Sequence, residues 1–177
     1  NWPYVAVERS KGVTLTEWLA LHPKPSPVEV VGWVCQALEA LAFAHESGTA
    51  HHDLQLHSVM INDAGRVQLM ALSTSSNQGT PVPTGGAKRG VDHAVLIEAD
   101  TLRAQREAAE RDVLACGLML HALLTGVPVL DEPDISKAML RLTPAGRDLV
   151  RLPWSTHHPI PEALRAIANR CTSSQER

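Results

Sequence analysis

The chain has 177 residues, of which 44% are hydrophobic and 20% charged, and its formal net charge is −3. This composition is typical of one globular domain, and the charge balance offers no basic stripe for nucleic acid. No run of about 18 apolar residues predicts a membrane span in this segment. The three cysteines are too far apart for a CxxC pair, which favours neither a disulfide framework nor a zinc site. We expect a cytoplasmic domain.

The first half of the chain predicts a short strand, a helix and a hairpin. Residues 4–7 read as an apolar strand, and residues 8–12 read as a polar linker to a helical pattern. A buried helix is predicted over 28–46, between a proline-rich segment and Gly48. Two short strands over 59–70 flank a turn of Asn, Asp and Gly, which is the turn chemistry of a hairpin.

The second half predicts a long loop followed by helices. Residues 73–90 are rich in Ser, Thr, Gly and Pro, which indicates an exposed and mobile loop. A charged helical stretch over 101–111 leads into a helix over 112–125 that is apolar on nearly every face, which predicts a central position in a helical layer. After a break at 153–161, residues 162–171 predict a last amphipathic helix.

Three short motifs occur in a fixed order along the chain. His51-His52-Asp53 precedes the hairpin, Ala71-Leu72-Ser73 follows it, and Glu98-Ala99-Asp100 precedes the buried helix. Their order and spacing resemble the His-Arg-Asp, Asp-Phe-Gly and Ala-Pro-Glu motifs in the C-terminal lobe of a eukaryotic-type, bacterial-like serine/threonine protein kinase. The resemblance implies a mainly α fold with a small β-hairpin, and a small lobe that is absent from this sequence.

The resemblance also implies a division of the chain into functional segments. Residues 1–177 form a single kinase-like domain, with a hinge strand at 4–7, a catalytic-loop equivalent at 51–58 and an activation-segment equivalent at 71–100. Because the chain begins at the hinge, we expect the face that would meet a small lobe to be apolar and available to a neighbouring domain or a second copy.

Most of the groups that phosphoryl transfer requires are replaced. The reaction needs a Gly-rich loop over the phosphates, a lysine held by an acid, two magnesium ligands and a base for the substrate hydroxyl. Asp53 matches the base, but Gln55 stands for the family's lysine two residues after it, and Ser58 and Ala71 stand for the asparagine and aspartate that hold metal. His52 stands for an arginine that binds a phosphorylated loop, and an imidazole is mostly neutral at pH 7. Asp53 is therefore a vestigial base candidate.

Other matched positions have structural roles on this resemblance. His51 and Leu72 match two stacked positions in a kinase core. Asp112 matches the acid that receives the backbone of the catalytic loop. Asp100 and Arg177 match an acid and an arginine that form a buried ion pair in the family. The alternative interpretation is that they are two unrelated surface charges.

The function that these replacements imply is that of a pseudokinase, a signalling domain that binds proteins and acts as a regulator or scaffold. Its partner is expected to be a protein or a neighbouring domain, with no cofactor and no metal. The alternative is an active serine/threonine kinase fragment with an unusual metal site, which would use Mg-ATP. On either reading, Glu8 and Ser10 match hinge positions whose backbone could meet an adenine.

A second alternative starts from the His52-Asp53 doublet. Metal-dependent phosphohydrolases carry a His-Asp doublet, and imidazole and carboxylate suit several divalent metals. The further histidines that this hypothesis offers as ligands are His45, His51, His57 and His121. Those enzymes are all-helical around the metal, whereas here a predicted hairpin follows the doublet, so this hypothesis is the less favoured.

Overall fold

The computed structural model describes residues 12–70, 91–142, 152–154 and 160–173, of which residues 91–99 are described by their helical backbone. Several predictions lie outside these residues: the hinge strand at 4–7, Glu8, Ser10, Ala71, Leu72, Ser73, the loop at 73–90 and Arg177.

The described chain is mainly helical with one small sheet, in agreement with the predicted fold class. In chain order its elements are β1 (Val13–Thr14), α1 (Leu15–Leu21), α2 (Pro27–Glu46), β2 (Val59–Ile61), β3 (Val67–Leu69), α3 (Val91–Thr125), α4 (Ile135–Leu142) and α5 (Glu162–Thr172). Short 3₁₀ turns occur at Leu56–Ser58 and Val129–Asp131.

The predicted hairpin is present, and the sheet contains one strand more than the sequence indicated. Strands β2 and β3 pair antiparallel, and β1 pairs antiparallel with the other edge of β2. The turn between β2 and β3 is closed by Asn62, whose Oδ1 accepts the N–H groups of Ala64 and Arg66, and by Gly65 at φ 72°. Strand β1 escaped prediction because two residues are too short to show an alternating pattern.

Helix α2 covers the predicted span of 28–46 with one further residue. Ser26 caps it, since its side chain accepts the Glu29 N–H while the Glu29 carboxylate accepts the Ser26 N–H at 2.8 Å, and Pro27 starts the first turn. By length and composition alone α2 is apolar enough to cross a bilayer, a property that buried core helices share. Its buried residues are Val30, Trp33, Val34, Ala37, Leu41 and Ala44.

Helix α3 is longer than predicted. The sequence placed a helix boundary at Asp112, whereas the structure has one continuous helix from Val91 to Thr125. The residues at 101–111 are good helix formers without Gly or Pro, and exposed i,i+4 ion pairs between arginine and glutamate bind successive turns. The predicted activation-segment equivalent at 71–100 therefore ends in ten residues of helix.

The core lies on the C-terminal half of α3. Helices α2, α4 and α5 all pack against α3, and β3 packs against α2. The buried residues of α3 that form this core are Leu114, Ala115, Cys116, Leu118, Met119, Leu120 and Leu123. The prediction of a central helix over 112–125 is thus confirmed for its position, and it is this helix that carries Asp112 to the loop after α2.

Candidate functional site

The loop at 51–58, called the HHD loop below, is fastened to α3 by one buried carboxylate. Asp112 is 1% exposed, and its two oxygens accept the backbone N–H groups of His51 at 2.7 Å and His52 at 2.9 Å. The ring of His45, at the end of α2, donates through Nε2 to the same carboxylate at 2.9 Å. Charge-assisted hydrogen bonds of this kind are the stronger ones in proteins. Asp112 therefore joins α2, α3 and the HHD loop at one point.

His51 and His52, the first two residues of the HHD loop, lie in opposite environments. His51 is buried, and its Nε2 donates to the carbonyl of Met70 at 2.8 Å, which links the loop to the end of the hairpin. His52 has a left-handed backbone, at φ 69°, and its side chain is exposed. This conformation is uncommon for a residue with a Cβ. The chain reverses here, so that Asp53 follows on the exposed side.

The Asp53 carboxylate is engaged by two donors. Gln55 Nε2 donates to its Oδ1 at 2.9 Å, and the hydroxyl of Ser136 donates to the same oxygen at 2.7 Å. These hydrogen bonds, with that of Gln55 the stronger influence, hold the pKa of Asp53 below its ordinary value of 3.8, and nearby His57 and His51 lower it further. Asp53 is therefore an ionised acceptor at neutral pH.

Gln55 connects the HHD loop to the beginning of α4. Its side chain is buried, its Oε1 accepts the Ile135 N–H at 2.9 Å, and its Nε2 also lies 3.2 Å from Asp134 Oδ1 and 3.1 Å from Ser136 Oγ. A lysine has three donors and no acceptor, so it could not receive the N–H of Ile135. Gln55 thus supplies both a donor and an acceptor that link elements about 80 residues apart in sequence.

The side chain of Ser58 forms hydrogen bonds with the backbone of the HHD loop. It is 4% exposed, its Oγ accepts the Gln55 N–H at 3.0 Å, and it donates to the Gln55 carbonyl at 2.8 Å. The hydroxyl is therefore used within the loop. Within the described part of the chain, no group of three His, Cys, Asp or Glu side chains is arranged to hold a metal ion.

Of the remaining predicted residues that the structure describes, Asp100 and His121 do not join this site. Asp100 is exposed on α3, and its predicted partner Arg177 lies outside the described residues, as do Ala71, Leu72 and Ser73. His121 is buried elsewhere on α3, where it donates to the Pro153 carbonyl at 2.8 Å. The described histidines thus form no metal cluster around the His52-Asp53 doublet, and the phosphohydrolase hypothesis gains no support.

Two site residues were not predicted, Asp134 and Ser136. Both belong to the beginning of α4, a helix that the sequence analysis did not locate. Asp134 caps α4, since its Oδ1 accepts the Lys137 N–H at 3.1 Å, and the Pro-Asp sequence at 133–134 is a helix-start signal that would have found it. No sequence signal would have paired Ser136 with Asp53, because the two are 83 residues apart.

Comparisons of the sequence with known proteins point to one family. The family model described as Protein kinase domain matches residues 1–177. Serine/threonine-protein kinase PrkC of Bacillus subtilis is 25% identical over 176 residues, which is 96% of this chain and 26% of PrkC. Serine/threonine-protein kinase PknB of Mycobacterium tuberculosis is 27% identical over 129 residues, 71% of this chain and 20% of PknB.

A third relative is the probable serine/threonine-protein kinase PknB of Corynebacterium glutamicum, 27% identical over 128 residues, which is 71% of this chain and 20% of that protein. The chain thus spans about a quarter or less of the length of these curated relatives.

Proposed function

Because the chain belongs to the protein kinase family, with a protein kinase domain model matching residues 1–177, we propose that it is a catalytically impaired member, a pseudokinase. On this proposal the chain is the C-terminal lobe of the kinase fold, with the small lobe absent from this sequence. Its role is that of a regulatory or scaffolding module in signalling, which binds a protein partner or a neighbouring domain and uses no cofactor.

The observation that carries the proposal is the structural use of the groups at the replaced positions. Gln55 is a neutral amide that accepts the Ile135 N–H. The Ser58 hydroxyl forms two hydrogen bonds with the backbone of Gln55 in the HHD loop. Phosphoryl transfer depends on positioning and charge neutralisation by a lysine and by metal ligands. A neutral amide and a buried hydroxyl supply neither a cation nor the carboxylate oxygens that magnesium prefers.

An active serine/threonine kinase with an unusual metal site is the second candidate. The relatives with which the chain shares about a quarter of its residues are named as serine/threonine kinases. Asp53, the position of the base, is kept and is an ionised acceptor with its pKa held low by Gln55 and Ser136. This candidate requires Mg-ATP, with the adenine meeting the backbone near Glu8 and Ser10.

The partner is proposed to be a protein that contacts the surface of α4 and α5. Leu140 is 76% exposed and Ile167 46% exposed on these helices, and exposed apolar side chains are a feature of protein interaction surfaces. A second copy of the chain, bound through the face that would meet a small lobe, is the other arrangement we expect. A reducing, cytoplasmic setting agrees with three cysteines that are all free.

The test uses the intact protein that carries this chain. We expect isothermal titration with Mg-ATP to show no binding in the micromolar range, and we expect Asp53→Ala to leave partner binding unchanged. Thr125→Val, which alters a hydroxyl far from the HHD loop, is the control for folding. Micromolar nucleotide binding that requires Ser58 and Ala71, together with phosphotransfer abolished by Asp53→Ala, would establish the kinase instead.

A further inference from the structure

The contact between Ser136 and Asp53 is the shortest hydrogen bond that reaches the HHD loop from α4. The hydroxyl of Ser136 donates to Asp53 Oδ1 at 2.7 Å, and Gln55 Nε2 donates to the same oxygen. One oxygen of the carboxylate thus receives a serine hydroxyl supplied by the chain itself. This serine comes from a helix that follows α3, 83 residues after the aspartate.

This hydrogen bond resembles the contact between a kinase catalytic aspartate and the hydroxyl of its substrate. The aspartate of a kinase catalytic loop accepts the proton of the substrate hydroxyl, and serine is one of the two aliphatic residue types that provide it. We propose that Ser136 is an internal pseudosubstrate, whose hydroxyl binds Asp53 Oδ1 and competes there with serine or threonine from another protein. The proposal rests on the proposed function in one respect, the assignment of Asp53 as the equivalent of the catalytic base.

Ser136 is held in this position from both sides. The preceding residue, Ile135, is buried and donates its N–H to Gln55 Oε1, while Gln55 Nε2 lies 3.1 Å from the Ser136 hydroxyl itself. Further along α4, Ala138 and Leu142 are buried in the core. The serine is therefore fixed by packing and by hydrogen bonds, as a pseudosubstrate must be if it is to compete with segments of other proteins.

The segment that leads into α4 is strained. Leu130 has φ 59° and Asp131 has φ 53°, so two successive residues with side chains adopt the left-handed region. Such conformations persist only where the surrounding structure enforces them. These two residues lie just before the residues of α4 that contact the HHD loop.

The first part of the test asks whether the contact exists in solution. The intact protein is labelled with ¹³C at aspartate, and the titration midpoint of the Asp53 carboxyl is followed by NMR in the wild type, in Ser136→Ala and in Ser136→Thr. Because the hydroxyl stabilises the ionised form, we expect the midpoint to rise in Ser136→Ala and to be restored in Ser136→Thr. His51, His57 and Asp134 also face this carboxyl and are common to all three proteins. Ser47→Ala removes a hydroxyl that donates to the Phe43 carbonyl rather than to Asp53, and it should leave the midpoint unchanged.

The second part asks whether an outside hydroxyl competes. A synthetic peptide with the sequence of residues 132–142 is added to each protein, alongside the same peptide with alanine at its serine. We expect the serine peptide to shift the Asp53 resonance in Ser136→Ala at a concentration at least tenfold lower than in the wild type, with no shift from the alanine peptide.

Each outcome decides the proposal. A midpoint that does not move in Ser136→Ala overturns it, and so does a serine peptide that acts equally on both proteins. A peptide that acts on neither also overturns it, because the contact is then a packing link between α4 and the loop. Mg-ATP binding, measured on the same samples, tests the pseudokinase proposal separately. Phosphotransfer to the peptide by Ser136→Ala alone would refute the pseudokinase while upholding the internal pseudosubstrate.

Discussion

The Asp112 carboxylate is buried, and both of its oxygens accept hydrogen bonds from the HHD loop or from α2. Asp112→Asn replaces one acceptor oxygen by an NH₂ group that faces backbone N–H donors. Since a hydrogen bond to a charged group contributes about 1.5–3 kcal/mol, we expect the free energy of unfolding in urea to fall by about 3 kcal/mol. Asp63→Asn, at an exposed position in the hairpin turn, is the control and should change stability by less than about 0.5 kcal/mol. Equal losses in the two variants would contradict this account of Asp112.

The buried side chain of His121 should make the free energy of unfolding depend on pH. Burial lowers its pKa below the ordinary value of 6.5, although the hydrogen bond to the Pro153 carbonyl raises it in part. The folded protein therefore binds a proton less readily than the unfolded chain, so stability is lost as the pH falls from 6.5 towards the folded pKa. His121→Gln keeps a donor for Pro153 but does not titrate.

The measurement is urea unfolding at about pH 7.5 and about pH 5.5, on either side of the ordinary histidine pKa. We expect the stability of the wild type to drop more between these values than that of His121→Gln. Because the remaining histidines are common to both proteins, the difference isolates His121. A difference of zero, or one of the opposite sign, would show that the ring is charged in the folded protein.

At the scale of elements, α3 and α5 approach closely at a glycine. A Cβ placed on Gly117 would lie 2.6 Å from the Cβ of Cys171 and 3.2 Å from the carbonyl oxygen of Ala168. Neither atom is the end of a flexible side chain, so the helices must move apart. We expect Gly117→Ala to lower the free energy of unfolding by about 1–3 kcal/mol, as overpacked cores do.

Gly32 provides the matched control for this prediction. It also lies within a helix, α2, but a Cβ there meets no atom within 4 Å. Alanine reduces the entropy of the unfolded chain, so Gly32→Ala should raise stability by about 0.5–1 kcal/mol. If both substitutions stabilise the protein, the two helices are not in close contact at Gly117.

Sequence patterns predicted α2, the β2–β3 hairpin and α5 nearly at their observed bounds, because their signals are local: a proline-rich segment and Gly48 around α2, an Asn-Asp-Ala-Gly turn, and amphipathic spacing. They missed β1 and α4 and divided α3 at Asp112. Strand β1 has only two residues and exists through its pairing with β2. Helix α4 is short and is held by contacts with α3 and with Gln55.

At the scale of the whole molecule, the proposed loss of the metal site predicts how nucleotide affects thermal unfolding. A ligand at about 100 times its Kd that binds only the folded protein adds about 2.7 kcal/mol. For a domain of this size that corresponds to roughly 5–10 °C in Tm. We expect Mg-ATP to raise the Tm of the intact protein by less than about 1 °C, which is below the effect of a working site.

A double substitution that restores the magnesium ligands provides the comparison for this experiment. Ser58→Asn combined with Ala71→Asp returns the two residue types that hold magnesium in the kinase template, and we expect a larger rise in Tm with Mg-ATP than without magnesium. A wild-type rise of several degrees that disappears when magnesium is removed would count against the pseudokinase.

The sequence by itself determined the family resemblance, the mainly helical fold and the positions that the resemblance matches to catalytic groups, because residue types at fixed spacings carry that information locally. Only the tertiary structure decided which contacts the described residues at these positions make. Gln55, Asp53 and Ser136 meet because α3 returns the chain to the HHD loop and α4 packs beside it, which brings together side chains about 80 residues apart. Hydrogen bonds act over about 3 Å, and sequence spacing does not specify which distant groups the packing of the core will place within that range.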